Sequence, residues 1–452
     1  MPENRAHHGG RTIKLPVAII PATTAKPTED PVVFMDGGPG DNAFGAIPYL
    51  LDAGVNRHRE LIIMNQRGTL HSQPSLACPE IDRFNADAVG LPWDAPSTGR
   101  LQVRAAKECR DRLAAEGIDL SAYNTIENAA DFAALRQALG IHRWNVYGYS
   151  YGTELALTYL RLHPKGIRTV TLDSVVPPQI VSLPWAWDSA REGIEAIFDA
   201  CAAQPECKRR YPDLPGTLTE QVRRLEANPL TVTVERPGGA DPVKVVLDGG
   251  TLFNVLVTDG GALAAVDFPA ALYELAEGNP DRLARARAGS ATPVIGVFAH
   301  GLTNSVACAE WVPGFSERDV LKAGRRAFPG WPDTVLAQPP QLNFQHDICR
   351  AWDVPDRTAL TRVATHSKVP TLIVSGTFDM KTGASWGQFT GRTLPRSTAV
   401  QIPGIGHGVI LQSPCAQSVL ASFLALPTAP DTGCVAGLEP KPFTVIPDLE
   451  RQ

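Results

Sequence analysis

Several features that would assign a chain to a particular class are missing from this one. None of its 452 residues belongs to an apolar run approaching the roughly 18 residues that a membrane-spanning helix needs, so no membrane span is predicted. The net charge is −5 with acidic and basic residues interspersed, so nucleic acid is not an expected partner. There is no C-x-x-C pair and no cluster of histidine and cysteine, so a zinc site is not expected.

Eight cysteines are present, and their spacing would allow four consecutive pairs. Cys201 and Cys207 are six residues apart, as in a small disulfide-closed loop, and Cys415 and Cys434 bracket a helical stretch and a turn. Scattered cysteines in a long chain can also be reduced core residues. The spacing favours disulfides and an extracytoplasmic protein. Residues 1–10 have no apolar core of a secretory signal, so a leader is expected to be missing here, and a cytoplasmic location stays open.

Apolar, β-rich runs alternate with helical patterns over the first 180 residues. Strands separated by helices are typical of βαβ units and of a mostly parallel sheet that is buried on both faces. The predicted strands are residues 12–20, 32–35, 61–64, 144–147 and 170–172, and the predicted helices are 101–115, 127–139 and 153–162.

The alternation stops near residue 177 and resumes at residue 371. The simplest account is one α/β domain, residues 1–178 and 368–452, interrupted by a cap of residues 179–367 that is long enough to be a domain. In the cap we predict helices at 189–203, 218–227 and 262–277, and a hairpin of 230–234 with 243–247 around a Pro-Gly-Gly turn at 237–239. After the cap we predict strands at 371–374 and 399–402 and helices at 385–393 and 417–424.

Residues 148–152 read Gly-Tyr-Ser-Tyr-Gly and lie between a predicted strand and a predicted helix. In that context G-x-S-x-G forms a sharp turn that lifts the serine hydroxyl above the sheet, and the crowded backbone admits only glycine at the flanking positions. The start of the helix also favours a developing anion. We therefore predict that Ser150 is a nucleophile. The alternative is an ordinary tight turn with a surface serine.

A serine nucleophile needs a histidine base and a carboxylate to orient it, in the chain order Ser, Asp or Glu, His for this type of turn. His407 lies in a glycine-rich loop directly after the predicted strand 399–402 and is the candidate base; a solvent-facing loop histidine is the alternative. Asp379 follows the predicted strand 371–374 at the edge where catalytic groups gather in open α/β sheets, and is the candidate acid. Asp173, after the strand that follows the turn, is the competing acid.

The loop after the predicted strand 32–35 reads Asp-Gly-Gly-Pro-Gly. Acyl transfer places negative charge on the former carbonyl oxygen, and preorganised N–H groups must meet that charge. One donor is expected from Tyr151, the residue after the nucleophile, and the second from this loop. We favour Gly38 as the second donor, with Gly37 as the near alternative. A turn with only a structural role is the other interpretation.

Together these motifs resemble the prolyl iminopeptidase and tripeptidyl aminopeptidase group of α/β-hydrolases. The resemblance also includes Asn-Gln-Arg-Gly-Thr at 65–69 and the segments 369–379 and 404–408, and it spans nearly the whole chain, though only in general terms in the cap. It implies an α/β-hydrolase fold, with a mostly parallel sheet, helices on both faces and a large, mainly helical cap insertion. It also implies that Arg67 holds the Gly-rich loop by hydrogen bonding, which is a structural role.

Two positions depart from the group, and they leave the substrate open. Asp36 stands where iminopeptidases tend to have histidine or a polar amide, and Asn65 stands where the group usually has aspartate. Aminopeptidases of this group bind the free α-amine with carboxylates, for which Glu310 and Asp347 are candidates, although each is more typical of an ordinary polar group. The candidate substrate contacts are Gly37, Tyr149, Glu310 and Asp347.

We predict a serine hydrolase that works through an acyl-enzyme without a metal or cofactor. The expected substrate is a carboxylic ester or lactone of small to medium apolar character. This preference follows from the two departures and from the lack of a clearly identifiable amine-binding carboxylate. Five of the eight tryptophans lie in the cap and would equally suit an apolar substrate, although most are expected in the cap core. An aminopeptidase of prolyl or tripeptidyl type, acting on short peptides, is the alternative. A catalytically silent binding protein on the same scaffold is the alternative of another class. The oligomeric state is left open, with a homodimer as one option.

Overall fold

The computed structural model describes residues 1–7, 9–180, 183–235, 241–258, 263–289 and 294–447. Within these ranges, seven strands form the main sheet in the order β1-β3-β2-β4-β5-β8-β9, and two form a separate hairpin. Only β1 runs antiparallel to its neighbour; the other pairings in the main sheet are parallel. In chain order the strands are β1 (Val17–Ile20), β2 (Val32–Met35), β3 (Leu61–Met64), β4 (Trp144–Tyr149), β5 (Ile167–Asp173), β6 (Leu230–Val234), β7 (Val243–Leu247), β8 (Thr371–Gly376) and β9 (Ser397–Ile402).

Helices cover both faces of the sheet and make up most of the insertion between β5 and β8. In chain order they are α1 (Ile47–Asp52), α2 (Pro79–Asp87), α3 (Pro96–Ala115), α4 (Thr125–Ala138), α5 (Tyr151–Leu162), α6 (Trp185–Ala203), α7 (Pro205–Arg210), α8 (Leu214–Ala227), α9 (Gly249–Thr258), α10 (Phe268–Ala276), α11 (Asp281–Ala288), α12 (His300–Val306), α13 (Glu317–Ala327), α14 (Asp333–Leu336), α15 (Gln345–Trp352), α16 (Thr358–Thr361), α17 (Ala384–Gly391), α18 (Val409–Gln412) and α19 (Pro414–Ala425).

The two faces of the sheet carry separate apolar layers because successive side chains of a strand point in opposite directions. On one face, Val33 packs with Phe132 of α4 and Leu155 of α5. On the other face, Phe34 lies in a cluster with Phe423 of α19. Both layers are fully buried, which explains why β2, β3 and β8 read as continuous apolar runs rather than alternating ones.

The insertion has an apolar core of its own. Trp187 of α6 stacks on Phe253 of α9, with ring centroids 5.0 Å apart. Phe328 stacks on Trp331 at 4.3 Å, and both rings meet Phe253 edge-on. Trp185, by contrast, is 40% exposed. The predicted hairpin of β6 and β7 is present, while its expected turn, residues 237–239, lies outside the described ranges.

A second apolar cluster joins the insertion to the segment between β3 and β4. Leu113 of α3 packs with Leu302 of α12 and Trp352 of α15. At the other end of the chain, Phe443 lies in the core of the insertion. The insertion is therefore held to the rest of the molecule at several separate places.

Most predicted strands and helices are present, with shifted ends. The predicted strand 12–20 forms a ladder only over Val17–Ile20, since Thr12 and Lys14 make isolated bridges instead. The predicted helix 262–277 is observed as α10, where Pro269 occupies the first turn after a short 3-10 segment. Residue 262 itself is not described.

All eight cysteines form disulfides, in the four consecutive pairs that their spacing allows. Disulfides are typical of proteins that fold outside the reducing cytoplasm, so the cysteine usage points to an extracytoplasmic protein. In the described ranges, no helix combines the length and apolar character that crossing a bilayer requires.

The disulfides generate a prediction about stability. Cys308–Cys349 spans 41 residues and Cys201–Cys207 spans 6, so the longer loop restricts the unfolded chain more. Replacing both cysteines of the longer loop by alanine is expected to lower the free energy of unfolding by about 4 kcal/mol, against about 2 kcal/mol for the shorter loop as the matched control. Guanidinium unfolding of the two variants measures the difference. Equal losses would contradict the expectation.

Candidate active site

Ser150 occupies the tight turn between β4 and α5, with φ of 53° and ψ of −126°, a conformation rarely adopted by a residue other than glycine. The flanking glycines are required by close packing. A Cβ added at Gly148 would lie 2.4 Å from the carbonyl oxygen of Gly152, and one at Gly152 would lie 1.9 Å from that of Met35. Residue 150 is therefore held at the carboxyl edge of the sheet and at the first turn of a helix.

The Gly-rich loop after β2 lies directly against this turn. A Cβ at Gly37 would be 3.0 Å from the Cβ of Ser150. The N–H of Gly37 already donates to Oδ1 of Asp36 at 2.8 Å, so this group is not available to a substrate. Among the described residues, the backbone N–H groups of Gly38 and Tyr151 have no hydrogen-bond partner. Of the two glycines considered, Gly38 is the better placed donor.

Asp379 follows β8, His407 follows β9, and the two side chains meet. Nδ1 of His407 lies 2.9 Å from Oδ2 of Asp379, which also accepts from the Thr382 hydroxyl at 2.7 Å. The other oxygen of Asp379 accepts the N–H groups of Lys381 and Thr382, each at 2.9 Å. Burial would raise the pKa of Asp379, but the charge of His407 and these hydrogen bonds outweigh it and lower the pKa below its usual value. Asp379 is therefore an ionised partner for the imidazole.

The His407 ring lies beside the turn that carries Ser150. Its centroid is 5.4 Å from that of Tyr149, the residue before Ser150. Within the described ranges, the ring nitrogens make no hydrogen bond with the Ser150 hydroxyl. Catalytic hydrogen bonds of this kind are often long before substrate is bound and tighten only in the complex.

Asp173, the competing acid, has a different set of partners. Its two oxygens accept the N–H groups of Val409 and Ile410, at 2.9 and 3.0 Å, and one also accepts the hydroxyl of Tyr147 at 3.0 Å. Burial raises the pKa of Asp173 to about 6, although these hydrogen bonds oppose the shift. Asp173 thus holds the start of α18, directly after the His407 loop, and makes no hydrogen bond to the imidazole.

Arg67 has a structural role, as expected, but its partner is not the Gly-rich loop. Its guanidinium binds both oxygens of Asp131, at 2.8 and 2.9 Å, and the carbonyl oxygens of Glu3 and Ala122. The preceding residue, Gln66, contacts the Gly-rich loop instead, through Nε2 to the carbonyl oxygen of Asp36 at 2.8 Å. The two neighbouring side chains therefore have separate partners, and Gln66 is the one that contacts the loop.

A cavity of about 140 Å³ opens at Ser150. Gly38 and Tyr151 also line it, so Ser150 and the two residues with unpaired backbone N–H groups border one cavity. Lys381 is the charged side chain among the described residues that line the cavity, and none of them is acidic. The remaining wall is mainly apolar and comprises Val176, Leu183, Ala186, Trp311, Pro339, Leu342 and Trp386, with Thr303, Gln341 and Thr382.

The two carboxylates proposed to bind an amine lie elsewhere. Glu310 is fully buried, and its Oε1 accepts the N–H of Thr125 at 2.7 Å. Burial raises its pKa to about 7, despite the hydrogen bonds from Thr125. Asp347 forms an ion pair with Arg350 and lines a separate depression at α3 and α15. Neither is among the described residues that line the cavity at Ser150.

Some residues of the site carry no motif in the sequence. Glu154, buried on α5, accepts the indole N–H of Trp311 at 3.1 Å, and this fixes one wall of the cavity. The Thr303 hydroxyl donates to the carbonyl oxygen of Pro39 in the Gly-rich loop. Both contacts join residues more than 150 positions apart. The sequence gives only a weak indication of these residues, namely a glutamate on the predicted helix that follows Ser150.

Asp36 generates a prediction about the pH dependence of stability. Burial and then the charge of Asp41 raise its pKa from 3.8 to about 7, so between these values the folded protein holds a proton that the unfolded chain has lost. Stability contributed by this group therefore falls as the pH rises through that window. Asp36→Asn keeps an acceptor for the Gly37 N–H without the charge. Its Tm relative to the natural protein is expected to rise between about pH 4 and pH 7. Asp52→Asn, on the exposed face of α1, is the control. A Tm difference between Asp36→Asn and the natural protein that does not change with pH would refute the raised pKa of Asp36.

Comparisons with known proteins agree with this architecture. A family model described as alpha/beta hydrolase fold matches residues 30–200, and one described as TAP-like protein matches residues 336–436. The serine protease Hip1 of Mycobacterium tuberculosis is 23% identical over 89% of this chain and 80% of its own length. The tripeptidyl aminopeptidase of Streptomyces lividans is 29% identical over 39% of this chain and 34% of its own length.

Among solved structures, the proline iminopeptidase of Mycobacterium smegmatis is 18% identical, with a TM-score of 0.43 over 92% of this chain and 96% of that one. The two family models lie on either side of most of the insertion, on segments that form the sheet and the turn at Ser150. The chain has the α/β-hydrolase fold and is an enzyme of the serine-hydrolase type.

Proposed function

We propose that the protein hydrolyses a carboxylic ester or lactone through an acyl-enzyme on Ser150, with His407 as base and Asp379 as the orienting acid. The observation that carries this proposal is the 2.9 Å hydrogen bond between His407 and Asp379, formed beside the turn that presents Ser150. A hydroxyl, an imidazole and an ionised carboxylate in this order constitute the known apparatus for activating a serine.

Each group has a defined part in the reaction. His407 takes the proton of the Ser150 hydroxyl as the oxygen attacks the substrate carbonyl, and Asp379 holds the imidazole in the correct tautomer and stabilises its charged form. The N–H groups of Gly38 and Tyr151 stabilise the oxyanion. His407 then returns the proton to the leaving group, and a water activated by His407 releases the acid.

The cavity supports an apolar group next to the scissile carbonyl. Its wall includes Trp311, Trp386 and Leu342, and its volume of about 140 Å³ suits a small substituent. A free α-amine would need a carboxylate nearby, and the described lining of this cavity contains none. We therefore favour an ester or lactone over a substrate with a free amino terminus.

Peptide hydrolysis is the second candidate, because relatives carry the names serine protease and tripeptidyl aminopeptidase. An acyl ester and a panel of aminoacyl amides separate the two candidates. Turnover of amides that requires a free amino terminus would favour the aminopeptidase. Ester turnover without amide turnover supports our preference.

Labelling with a fluorophosphonate probe tests whether Ser150 is the nucleophile. Covalent modification is expected at Ser150, and Ser150→Ala is expected to abolish labelling and to lower kcat by several orders of magnitude with little loss of stability. Ser174→Ala is a control, because Ser174 is buried and its hydroxyl accepts the N–H of Gly408. An unlabelled natural protein would instead indicate a catalytically silent scaffold.

The two aspartates are separated by amide substitution. Asp379→Asn is expected to lower kcat by about 10³–10⁴-fold, because the amide cannot hold the imidazole in the required tautomer. Asp173→Asn replaces an acceptor of two backbone N–H groups and is expected to lower the Tm while reducing kcat far less. Kinetics and thermal unfolding of both variants provide the comparison. If Asp173→Asn lost more kcat than Asp379→Asn, Asp173 rather than Asp379 would be the acid that orients His407.

A further inference from the structure

A second cavity, of about 410 Å³, adjoins the one at Ser150. The two cavities share Gly38, Thr303, Gln341 and Leu342, so the oxyanion loop and α12 form part of their common wall. A volume of this size is typical of sites that bind small organic molecules. We call the second cavity the polar chamber, because seven residues of its described lining carry amide side chains: Asn85, Gln102, Asn254, Asn304, Gln341, Asn343 and Gln345.

Two buried polar atoms of the lining residues have no hydrogen-bond partner among the residues that the structure describes. One is an acceptor, Oε1 of Gln102, whose Nε2 donates to Oδ1 of Asn343 at 3.2 Å. The other is a donor, Nε of Arg287, whose Nη2 donates to the carbonyl oxygen of Ala88 at 3.2 Å. Buried polar groups in proteins are nearly always paired. Both atoms are shielded from solvent, so they do not contact a ligand themselves, but they show that the polar side chains of this wall are not saturated by one another.

Arg287 supplies positive charge to the polar chamber. The residue is 7% exposed, and its guanidinium lies 5.6 Å from the centroid of the Trp93 ring. Asp248 acts on it electrostatically, but the Asp248 carboxylate accepts the N–H groups of Trp93 and Thr251. No carboxylate forms an ion pair with Arg287 among the described residues. A buried guanidinium without such a partner is costly unless an anion completes it.

The other lining residue that can carry positive charge is already paired. His300 lies 3.1 Å from Asp82, through Nε2 and Oδ1. No acidic residue is among the described residues that line the polar chamber. Arg287 is therefore the group best suited to an anion there, and a guanidinium matches a carboxylate through two parallel hydrogen bonds.

We propose that the polar chamber is a substrate subsite in which Arg287 binds a carboxylate remote from the scissile bond. This inference rests on the proposed hydrolase function and narrows its substrate class. The substrate is then an amphiphile, with an apolar group in the cavity at Ser150 and a polar, carboxylate-bearing part extending past Gly38 and Thr303. The surrounding amides suit carbonyl, amide or hydroxyl groups along that part.

Matched pairs of esters test the proposal on the natural protein. For a carboxylate on the acyl side, the pair is the monophenyl ester of glutaric acid and phenyl valerate. For a carboxylate on the leaving-group side, the pair is the acetate ester of 3-(4-hydroxyphenyl)propionic acid and 4-propylphenyl acetate. In at least one pair, the carboxylate member is expected to have the higher kcat/KM by about tenfold or more, mainly through KM. A preference for the neutral member in both pairs would overturn the proposal.

Substitution of Arg287 tests whether that residue produces the preference. Arg287→Gln is expected to abolish the ratio of kcat/KM between the two members, and Arg287→Lys to retain part of it, because the charge remains without the fork of donors. Arg285→Gln is the matched control, since Arg285 lies on the same helix with 66% of its side chain exposed. A preference that survives Arg287→Gln would place the anion site elsewhere and refute this assignment. If Arg287→Gln does not fold, Arg287→Lys decides, because an unchanged ratio in that variant would refute the assignment.

The result also separates this inference from the proposed function. If neither pair is turned over and Ser150 is not labelled by a fluorophosphonate, the hydrolase proposal fails. If neutral esters are turned over and the fluorophosphonate labels Ser150, but the carboxylate ester is preferred in neither pair, only the proposed role of the polar chamber is refuted.

Discussion

The close approach of α5 to the central strands determines the geometry of the whole site. A methyl group at residue 152 would lie 1.9 Å from the carbonyl oxygen of Met35, and one at residue 148 would lie 2.4 Å from that of Gly152. Only glycine permits this packing, and the packing in turn holds Ser150 at a positive φ. Because β2 leads directly into the Gly-rich loop, the same contact places that loop against the nucleophile. The strained serine and the N–H donors are thus fixed by one packing arrangement.

The cap takes part in the same arrangement through the Gly-rich loop. The N–H of Ala299 donates to the carbonyl oxygen of Gly40 at 2.9 Å, and the Thr303 hydroxyl donates to that of Pro39. A Cβ at Gly40 would lie 2.8 Å from the carbonyl oxygen of Ala299, so this contact also depends on glycine. The cap is therefore attached to the loop proposed to stabilise the oxyanion.

The parts of the site that follow strands were predictable, because their position depends on local sequence and chain order. The turn at Ser150, the Gly-rich loop, Asp379 and His407 each lie directly after a strand of one sheet. The short helices α14 and α16, four residues each, were not predictable, because packing rather than periodicity stabilises them. The burial of Arg287 was likewise not predictable, since an arginine on an amphipathic helix is normally solvated, and its burial depends on contacts with a distant segment. Arg67 was misjudged because its neighbour Gln66 faces the loop.

The central claim is that segments far apart in the chain meet at Ser150 as one catalytic apparatus. A crystal structure of the protein after reaction with a small phosphonate ester is the most direct measurement. The account predicts a covalent bond to Oγ of Ser150, with the phosphonyl oxygen about 3 Å from the N–H groups of Gly38 and Tyr151 and with the His407 imidazole adjacent to Oγ. An adduct on another residue, or a phosphonyl oxygen directed away from both N–H groups, would contradict it.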